Sequence, residues 1–248
     1  MLIAALRDLQ WRHRRFLIAV IGTGVLFAMT LALTGLANGF QVEAQRTVSA
    51  LGIETYLIPT GAADPFLSST PFPEVELGAV AATSGRSVAV PLVYAETTLR
   101  DGGATRITSI FGAPEGGPGM PAIISGRAPS GRDEVAVSNT LGRKVGDDLE
   151  IGSGTVRIVG LVDDSTALGG QPNIFLTVAG AQQVAYAGKP LISSIGIRGT
   201  LADVPDGYRA VGQAAAVDDL MLPVRSPASA ITLMAVLLWV VEIGRAHV

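Results

Sequence analysis

The 248-residue sequence contains no cysteine and only two histidines. The first absence excludes a disulfide framework, a thiol nucleophile and Cys-ligated zinc. Because His13 lies in a basic flank and His247 next to the C-terminal residue, the chain between them cannot build a nucleophile–histidine pair or a histidine zinc site. No GxxxxGK[ST] motif is present, so the chain has no P-loop of its own. These absences predict no catalytic residue, no metal and no cofactor.

Charged residues are also few, at 16% of the chain, and they are unevenly distributed. Residues 1–15 carry four arginines against one aspartate, a balance of +3, and residues 242–248 are neutral. Because the formal net charge of the chain is −3, the body between these ends carries −6. A nucleic-acid-binding domain needs a basic surface on its folded part. The charge distribution therefore argues against a nucleic-acid partner.

Four acidic pairs are the remaining candidates for a carboxylate-based active site or a calcium site. Each pair lies where a strand edge, a turn or a helix end is predicted, and solvated acids are ordinary at such positions. We therefore predict solvent-exposed carboxylates rather than a site. The pairs are Asp133-Glu134, Asp147-Asp148, Asp163-Asp164 and Asp218-Asp219.

One long apolar run dominates the N-terminal region. Residues 16–37 contain no charged side chain, and at about 1.5 Å per residue a helix of this length covers the hydrocarbon core of a bilayer. Arg12, Arg14 and Arg15 precede the run directly. The positive-inside rule makes these arginines topology determinants. It predicts that residues 1–15 are cytoplasmic and that the chain after the helix is extracytoplasmic.

A cleaved signal peptide has the same basic start and is the main alternative. The Gly-Leu-Ala sequence at residues 35–37 is similar to a weak cleavage site. The apolar region of a signal peptide usually spans about 7–15 residues, and this run is longer. An uncleaved transmembrane helix is therefore the favoured interpretation.

Beyond the helix, the pattern predicts a mixed α+β domain over residues 38–225. Residues 41–51 continue the helix outward, with Val42, Ala44, Val48 and Leu51 as apolar positions among polar ones. The glycine- and proline-rich residues 113–120 predict a loop or hinge between two halves of the domain. Strands are predicted at 54–59, 87–99, 104–111, 134–137, 149–151, 155–161, 173–177 and 191–197, and further helices at 74–82, 138–143 and 179–187.

A run of motifs occupies the second half of this domain. Between residues 126 and 176 the sequence reads GRAPSG, DEVAVS, VGDDL, VRIVGLV and GGQPNIFL, in that order. This order resembles the extracytoplasmic core domain of FtsX-like, MacB-like ABC transporter permeases. The start of the chain, LRDLQWR followed by one membrane helix and then the domain, is similar to the same family. The positions that carry the resemblance are expected to be structural: Gly126, Arg127, Pro129, Glu134, Gly146, Asp147, Gly160 and Pro172.

The glycines in these motifs also have a plain structural explanation. Gly146 and Asp147 are expected to form the turn into a strand, and Gly160 is expected to relieve crowding inside one. Nothing in the motif run is catalytic, so it indicates a fold rather than a reaction.

The resemblance implies a membrane-anchored α+β fold with one N-terminal transmembrane helix, an extracytoplasmic core domain and the start of a second transmembrane helix. It implies a permease subunit in the cell membrane that works with a separate ABC ATPase subunit and with a second permease copy, identical or homologous. In such a complex, ATP hydrolysis moves the extracytoplasmic domain for export, for lipoprotein or lipid extraction, or for mechanotransmission.

The C-terminal region predicts that the parent protein is longer. Residues 226–241 are apolar and are expected to begin a second transmembrane helix, but they fall short of the roughly 20 residues that span a bilayer. Residues 242–248 read EIGRAHV, which one frame of a widely used sequencing-library adaptor encodes before a stop codon. If the natural frame ends here, a single-span membrane-anchored binding or sensor protein with no transport role is the leading alternative. A secreted enzyme has less support.

Overall fold

The computed structural model describes residues 13–223 apart from 68, 84, 85, 102, 168 and 202. Arg12, the expected second helix at 226–241 and the expected adaptor-derived tail at 242–248 lie outside the described residues.

The chain divides into two compact units, Met1–Gly39 with Pro223–Val248, and Phe40–Leu222. Apart from Pro223, the described part of the first unit belongs to α1, a helix from His13 to Ala50. A stretch of this helix, Val20–Ala50, is long and apolar enough to cross a membrane by length and composition, with a mean hydropathy of 1.9. The helix predicted from the apolar run and its predicted outward continuation are thus one element.

Apolar side chains project from all sides of α1 within the first unit. Val25, Phe27 and Leu31 are each at least 60% exposed, as expected of a helix whose surroundings are lipid. The hydroxyls of Thr30 and Thr34 donate to the backbone carbonyls four residues earlier, both at 2.8 Å. Because their hydrogen-bonding capacity is met within the helix, neither threonine requires water.

The second unit is the α+β core domain. Its strands are β1 (Thr55–Pro59), β2 (Phe72–Pro73), β3 (Val88–Asp101), β4 (Ala104–Ala113), β5 (Ile123–Gly126), β6 (Glu134–Ser138), β7 (Asp148–Ile151), β8 (Gly154–Val162), β9 (Thr166–Ala167), β10 (Gln171–Pro172), β11 (Ile174–Thr177), β12 (Leu191–Ile192), β13 (Ser194–Arg198) and β14 (Tyr208–Gly212). Its helices after α1 are α2 (Glu76–Thr83), α3 (Val178–Tyr186), α4 (Gln213–Leu220) and a 3-10 helix (Asn139–Leu141).

Within the described residues, ten strands form one sheet in the order β14-β1-β13-β3-β4-β11-β6-β8-β5, with β7 paired to β3 and β8. The hairpin of β3 and β4 is confirmed and pairs from Val93 and Gly112 to Asp101 and Ala104. The pairs β4–β11 and β6–β8 are parallel. The strands β9 and β10 form a separate two-stranded hairpin.

The division of the domain into two halves at residues 113–120 is wrong. Strand β13 pairs with both β1 and β3, so chain from both sides of this loop shares one sheet. The loop itself is fixed rather than hinged, because the Gly119 N–H donates to the Leu51 carbonyl at 2.7 Å. Gly119 and Met120 are buried.

Several element boundaries differ from the prediction. Pro73 lies in β2, and α2 begins only at Glu76. The predicted helix at 138–143 is a single 3-10 turn. The predicted strand at 191–197 is broken at Ser193, whose hydroxyl accepts a hydrogen bond from the Tyr94 backbone N–H at 2.9 Å. The elements β5, β14 and α4 were not predicted.

Helix α3 packs closely on the centre of the sheet. A side chain at Gly112 in β4 would overlap the Cβ of Ala181 in α3, so a small residue on each element permits this approach. On the sheet, Phe111 stacks on Phe175 at a ring-centroid distance of 5.4 Å and meets Tyr94 edge-on at 5.2 Å. The sheet and its aromatic cluster form the packed centre of the core domain.

Candidate functional site

The end of α1 packs on the core domain through one face. Ala44, Thr47, Val48 and Leu51 are buried, and their offsets of three, four and seven residues from Ala44 place them on one side of a helix. Val42, predicted as an apolar position of this segment, is 53% exposed. The buried polar residue Thr47 belongs to the contact face instead. We refer to residues 40–50 as the docking segment.

Glu43 fixes the docking segment to the hairpin of β9 and β10. Its carboxylate accepts hydrogen bonds from the Thr166 hydroxyl at 2.7 Å and from the backbone N–H groups of Gly169 and Gly170 at 3.0 and 2.9 Å. Both glycines have positive φ, +91° and +83°, a conformation that glycine adopts without steric cost. Two converging N–H groups in a turn form an anion-binding concavity, and Glu43 occupies it.

Thr47 continues this connection into the buried interior. Its hydroxyl donates to the Thr166 carbonyl at 3.0 Å and accepts from the Asn173 side-chain amide at 3.2 Å. The same amide donates to the Ser165 hydroxyl at 3.2 Å. Because all four residues are buried, these hydrogen bonds have no competition from water and fix the helix in one register.

Arg46 adds an ion pair with Asp164 at the margin of this contact. The two side chains are 53% and 54% exposed, so the pair contributes little to stability. Asp164 has φ of +38° and its N–H donates to the Asn139 side-chain oxygen at 2.9 Å. The ion pair orients the contact more than it stabilises it.

The last helix of the domain meets the docking segment. Leu220 and Met221, at the end of α4, line a water-sized cavity together with Phe40, Ala44 and Thr47. The first and last described segments of the core domain therefore lie side by side within this unit.

The residues of the family motif form a second, separate cluster. Arg127 and Glu134 make a two-point ion pair in which the Arg127 Nη1–Glu134 Oε2 distance is 2.8 Å. Glu134 also accepts from the backbone N–H groups of Ser130 and Gly131 at 3.0 and 3.1 Å. These donors, first of all the Arg127 guanidinium, hold the pKa of the Glu134 carboxyl well below its usual range. The 127–134 loop is thereby closed on itself, with Pro129 buried inside it.

The other motif residues lie at turns and close approaches. Gly126 and Gly160 are paired in β5 and β8. Gly146 has φ of +100° and donates to the Ile158 carbonyl at 2.7 Å, and Asp147 accepts from the Lys144 N–H at 3.0 Å. Pro172 lies apart in β10, where its carbonyl accepts from the Thr108 hydroxyl. The motif thus surrounds β8, with Pro172 as the exception.

The acidic pairs do not all match the prediction of solvated carboxylates. Asp219 is only 2% exposed, and its neighbour Asp218 is exposed. Of the other pairs, Asp133, Asp148, Asp163 and Asp164 are exposed. Among the residues that the structure describes, no group of three or more histidine, aspartate or glutamate side chains is arranged to hold a metal ion. Arg14 and Arg15 belong to α1, and their side chains lie outside the described set.

The sequence prediction missed Glu43, Thr47 and Asn173. A signal was present, because the buried positions of residues 44–51 follow helical spacing. Ala44, Val48 and Leu51 are buried as predicted, whereas Val42 is exposed and Thr47 was missed. The pair Gly169-Gly170 was also visible as part of the motif run, but nothing in the sequence shows that its partner is Glu43.

A helix that is long and apolar enough to cross a membrane continues into an α+β core domain, which is the architecture of a membrane-anchored protein. The family of MacB-like periplasmic core domains matches residues 16–217. An uncharacterized ABC transporter permease of Mycobacterium tuberculosis strain H37Rv is 57% identical over 241 residues, which cover 97% of this chain and 69% of that protein. A second uncharacterized permease of that strain is 51% identical over 243 residues, covering 98% and 70%. The chain belongs to the ABC transporter permeases with a MacB-like periplasmic core domain.

Solved structures of two transporter domains are similar to this chain. The extracellular domain of the noncanonic ABC-type transporter YknZ from Gram-positive bacteria has a TM-score of 0.46 and 14% identity, and covers 64% of this chain and 99% of that domain. The periplasmic region of MacB from Actinobacillus actinomycetemcomitans has a TM-score of 0.48 and 12% identity, with coverages of 68% and 94%.

Proposed function

We propose that this permease couples ATP hydrolysis by a separate ATPase subunit to movement of its core domain on the extracytoplasmic side of the membrane. The complex contains a second permease copy in the lipid bilayer, and the N-terminus of each permease faces the cytoplasm. Export, lipoprotein or lipid extraction, and mechanotransmission all require such a movement.

The observation that carries this proposal is the attachment of α1 to the core domain. One helix, His13–Ala50, contains both the candidate membrane span and the docking segment. Buried hydrogen bonds of Thr47 and the carboxylate of Glu43 hold that segment to β9–β10 and to Asn173. A displacement of the span by the partner ATPase would then be passed to the domain by a helix that is fixed at its outer end.

A membrane-anchored binding or sensor protein would use the same helix and domain. The permease relatives match 97% and 98% of this chain, which favours the permease. Such relatives also supply the class of partner, because an ABC permease works with an ATPase subunit.

The first test is biochemical. The full-length permease, purified from the membranes of its host, should be accompanied by a subunit that hydrolyses ATP. A preparation that is intact in the bilayer but contains no ATP-hydrolysing partner would contradict the proposal.

The second test measures movement. Because these 248 residues contain no cysteine, a Thr105→Cys substitution at the exposed tip of the β3–β4 hairpin places a single spin label within them. We expect the distance between the two labels in the reconstituted complex to change when ATP is added and to return after hydrolysis. A distance distribution that is the same with ATP, with ADP and without nucleotide would refute coupling to the core domain.

A further inference from the structure

Asp219 is the only acidic or basic side chain in the described residues that is fully buried, with 2% of its surface exposed. It lies in α4, whose end packs beside the docking segment. One carboxylate oxygen, Oδ2, accepts the Phe66 backbone N–H at 2.8 Å. The other, Oδ1, is buried and has no hydrogen-bond partner among the described residues. A buried carboxylate with an unpaired oxygen is costly and has to be explained.

Asp219 holds a short segment of chain, residues 62–67, against the sheet. The Phe66 ring lies in an aromatic cluster with Tyr56 and Tyr94, at centroid distances of 5.3 and 5.2 Å. The start of the segment is held by Arg209 of β14, whose guanidinium donates to the carbonyls of Ala62 and Ala63. Residues 62–67 are therefore held at one end by hydrogen bonds from Arg209 of β14 and at the other by the hydrogen bond of Phe66 to Asp219 of α4.

Within the part of the chain that the structure describes, no arginine or lysine forms an ion pair with Asp219. Arg209 bonds to the backbone of the segment and lies 3.9 Å from the Asp64 carboxylate. The ionisable side chains that pack on Phe66 are Tyr56 of β1 and Tyr94 of β3, and neither can supply a positive charge. The residues of α1 beside the end of α4 are uncharged. The charged group with the strongest electrostatic influence on Asp219 is Asp64, whose negative charge disfavours a second one.

We propose that Asp219 is a proton-operated clasp, in which the neutral acid holds residues 62–67 on α4 and the carboxylate releases them. The segment and α4 would then respond to the acidity of the extracytoplasmic medium. This inference does not depend on the proposed coupling to an ATPase, because it concerns the core domain alone.

The sign of the effect follows from burial. Burial raises the pKa of Asp219 from 3.8 to about 6; the Phe66 backbone N–H lowers it in part, Asp64 raises it further and the Leu67 backbone N–H lowers it slightly. A raised pKa in the folded state means that the closed clasp binds a proton more tightly than the open one. The closed form is therefore favoured at low pH, and its advantage declines as the pH rises from 3.8 to about 6. Above that pH the buried charge favours opening, in which water reaches the carboxylate.

The test is amide hydrogen exchange on the full chain in detergent micelles, at pH 5 and pH 7.5. After correction for the intrinsic exchange rate, protection of the Phe66 amide should be about tenfold lower at pH 7.5 than at pH 5, as expected for a carboxyl whose pKa is about 6 in the closed form and 3.8 in the open form. In Asp219→Asn the amide oxygen can still accept the Phe66 N–H, and protection should no longer depend on pH. The neighbouring exposed substitution Asp218→Asn is the matched control and should retain the full pH dependence.

A second measurement does not rely on the stability of the variant. The difference between the infrared spectra of the wild-type chain and Asp219→Asn should show one protonated carboxyl at pH 5 that is absent at pH 7.5, because the other carboxyls contribute equally to both spectra. Equal protection of Phe66 at both pH values in the wild-type chain would overturn the proposal. So would a pH dependence that Asp219→Asn leaves unchanged.

Discussion

Gly126 and Gly160 face each other across the pair of β5 and β8, and each lies against the backbone of the opposite segment. A Cβ on Gly126 would overlap the carbonyl oxygen of Val159, and a Cβ on Gly160 would overlap that of Arg127. The two overlaps are reciprocal, so the strands can approach only if both positions lack a side chain. This approach places Arg127 where its N–H donates to the Val159 carbonyl at 2.9 Å.

The close approach predicts that Gly160→Ala destabilises the core domain by about 2–3 kcal/mol, because a backbone carbonyl rather than a flexible side chain must move. For a domain of this size, the midpoint of thermal unfolding should fall by about 4–12 °C. Gly154→Ala in the same strand is the control, since its nearest neighbour, the Ile151 carbonyl oxygen, is 4.0 Å away. Equal midpoints for the two variants would show that the strands separate at no cost.

The ion pair of Arg127 and Glu134 predicts a stability effect that depends on pH. Glu134→Gln should lower the free energy of unfolding at pH 7 by about 1 kcal/mol, because the loop loses a charged acceptor of several hydrogen bonds but is partly solvated. The pKa of Glu134 is lowered in the folded state. The contribution of Glu134 to the free energy of unfolding is therefore complete above pH 4.5, the ordinary pKa of a glutamate. This contribution is lost as the pH falls towards the lower pKa of the folded state.

The measurement is a set of urea unfolding curves of wild type and Glu134→Gln between pH 7 and pH 3. The difference in the free energy of unfolding between the two proteins should be constant down to about pH 5 and then become smaller. Glu150→Gln is the control, because Glu150 is 59% exposed and lies 3.8 Å from the Arg100 guanidinium. A difference that widens in acid would contradict the lowered pKa.

Local patterns account for the parts of the fold that could be predicted. The charge-free run identifies α1, and turn residues between β-rich segments identify the β3–β4 and β7–β8 hairpins, whose partners are close in sequence. The helix α4 was not predicted, and its Asp218-Asp219 pair was predicted to be solvent-exposed. Burial of Asp219 depends on the Phe66 amide, which is 153 residues away, and no local pattern reports such a contact.

The same reason explains why the docking segment was only partly predicted. Its helical continuation is visible locally, but Glu43 finds its partners 123 to 127 residues further along the chain. The single sheet was missed for a related reason, since β13 joins β1 and β3 over about one hundred residues or more. Sequence spacing predicts elements, whereas the contacts between distant elements decide which polar residues are buried.

The hydrogen bonds from Glu43 to the hairpin of β9 and β10 should be open to weakening without unfolding the domain. Glu43→Gln keeps one acceptor oxygen but loses the charge, and should raise the exchange rate of the Gly169 and Gly170 amides by about tenfold, corresponding to a loss of about 1–2 kcal/mol. Glu54→Gln, beyond the end of α1 and exposed, is the matched control and should leave these amides unchanged.

In the assembled transporter, the same variant separates two effects. If the docking segment passes movement to the domain, Glu43→Gln should reduce the ATP-dependent distance change at residue 105 more than it reduces ATP hydrolysis. Equal losses of both would indicate a general defect of assembly and would count against a specific role for Glu43.

The basic flank predicts the orientation of the whole chain. Replacing Arg12, Arg14 and Arg15 with glutamate removes the positive charge that retains the N-terminus in the cytoplasm. In the otherwise wild-type chain, a cysteine at position 105 should react with a membrane-impermeant maleimide in intact cells, and the triple substitution should reduce that labelling severalfold. Because the sequence has no cysteine, the unsubstituted chain supplies a background of zero.

Two comparisons make the result specific to charge and to an uncleaved helix. Arginine-to-lysine replacement at the same three positions keeps the charge and should keep the labelling, which distinguishes topology from a general effect on insertion. An N-terminal tag should remain on the membrane-bound product, since a signal peptide would lose it on cleavage. Labelling that is unaffected by the glutamates would refute the assigned orientation, because the positive flank is the only feature of the sequence from which we inferred it.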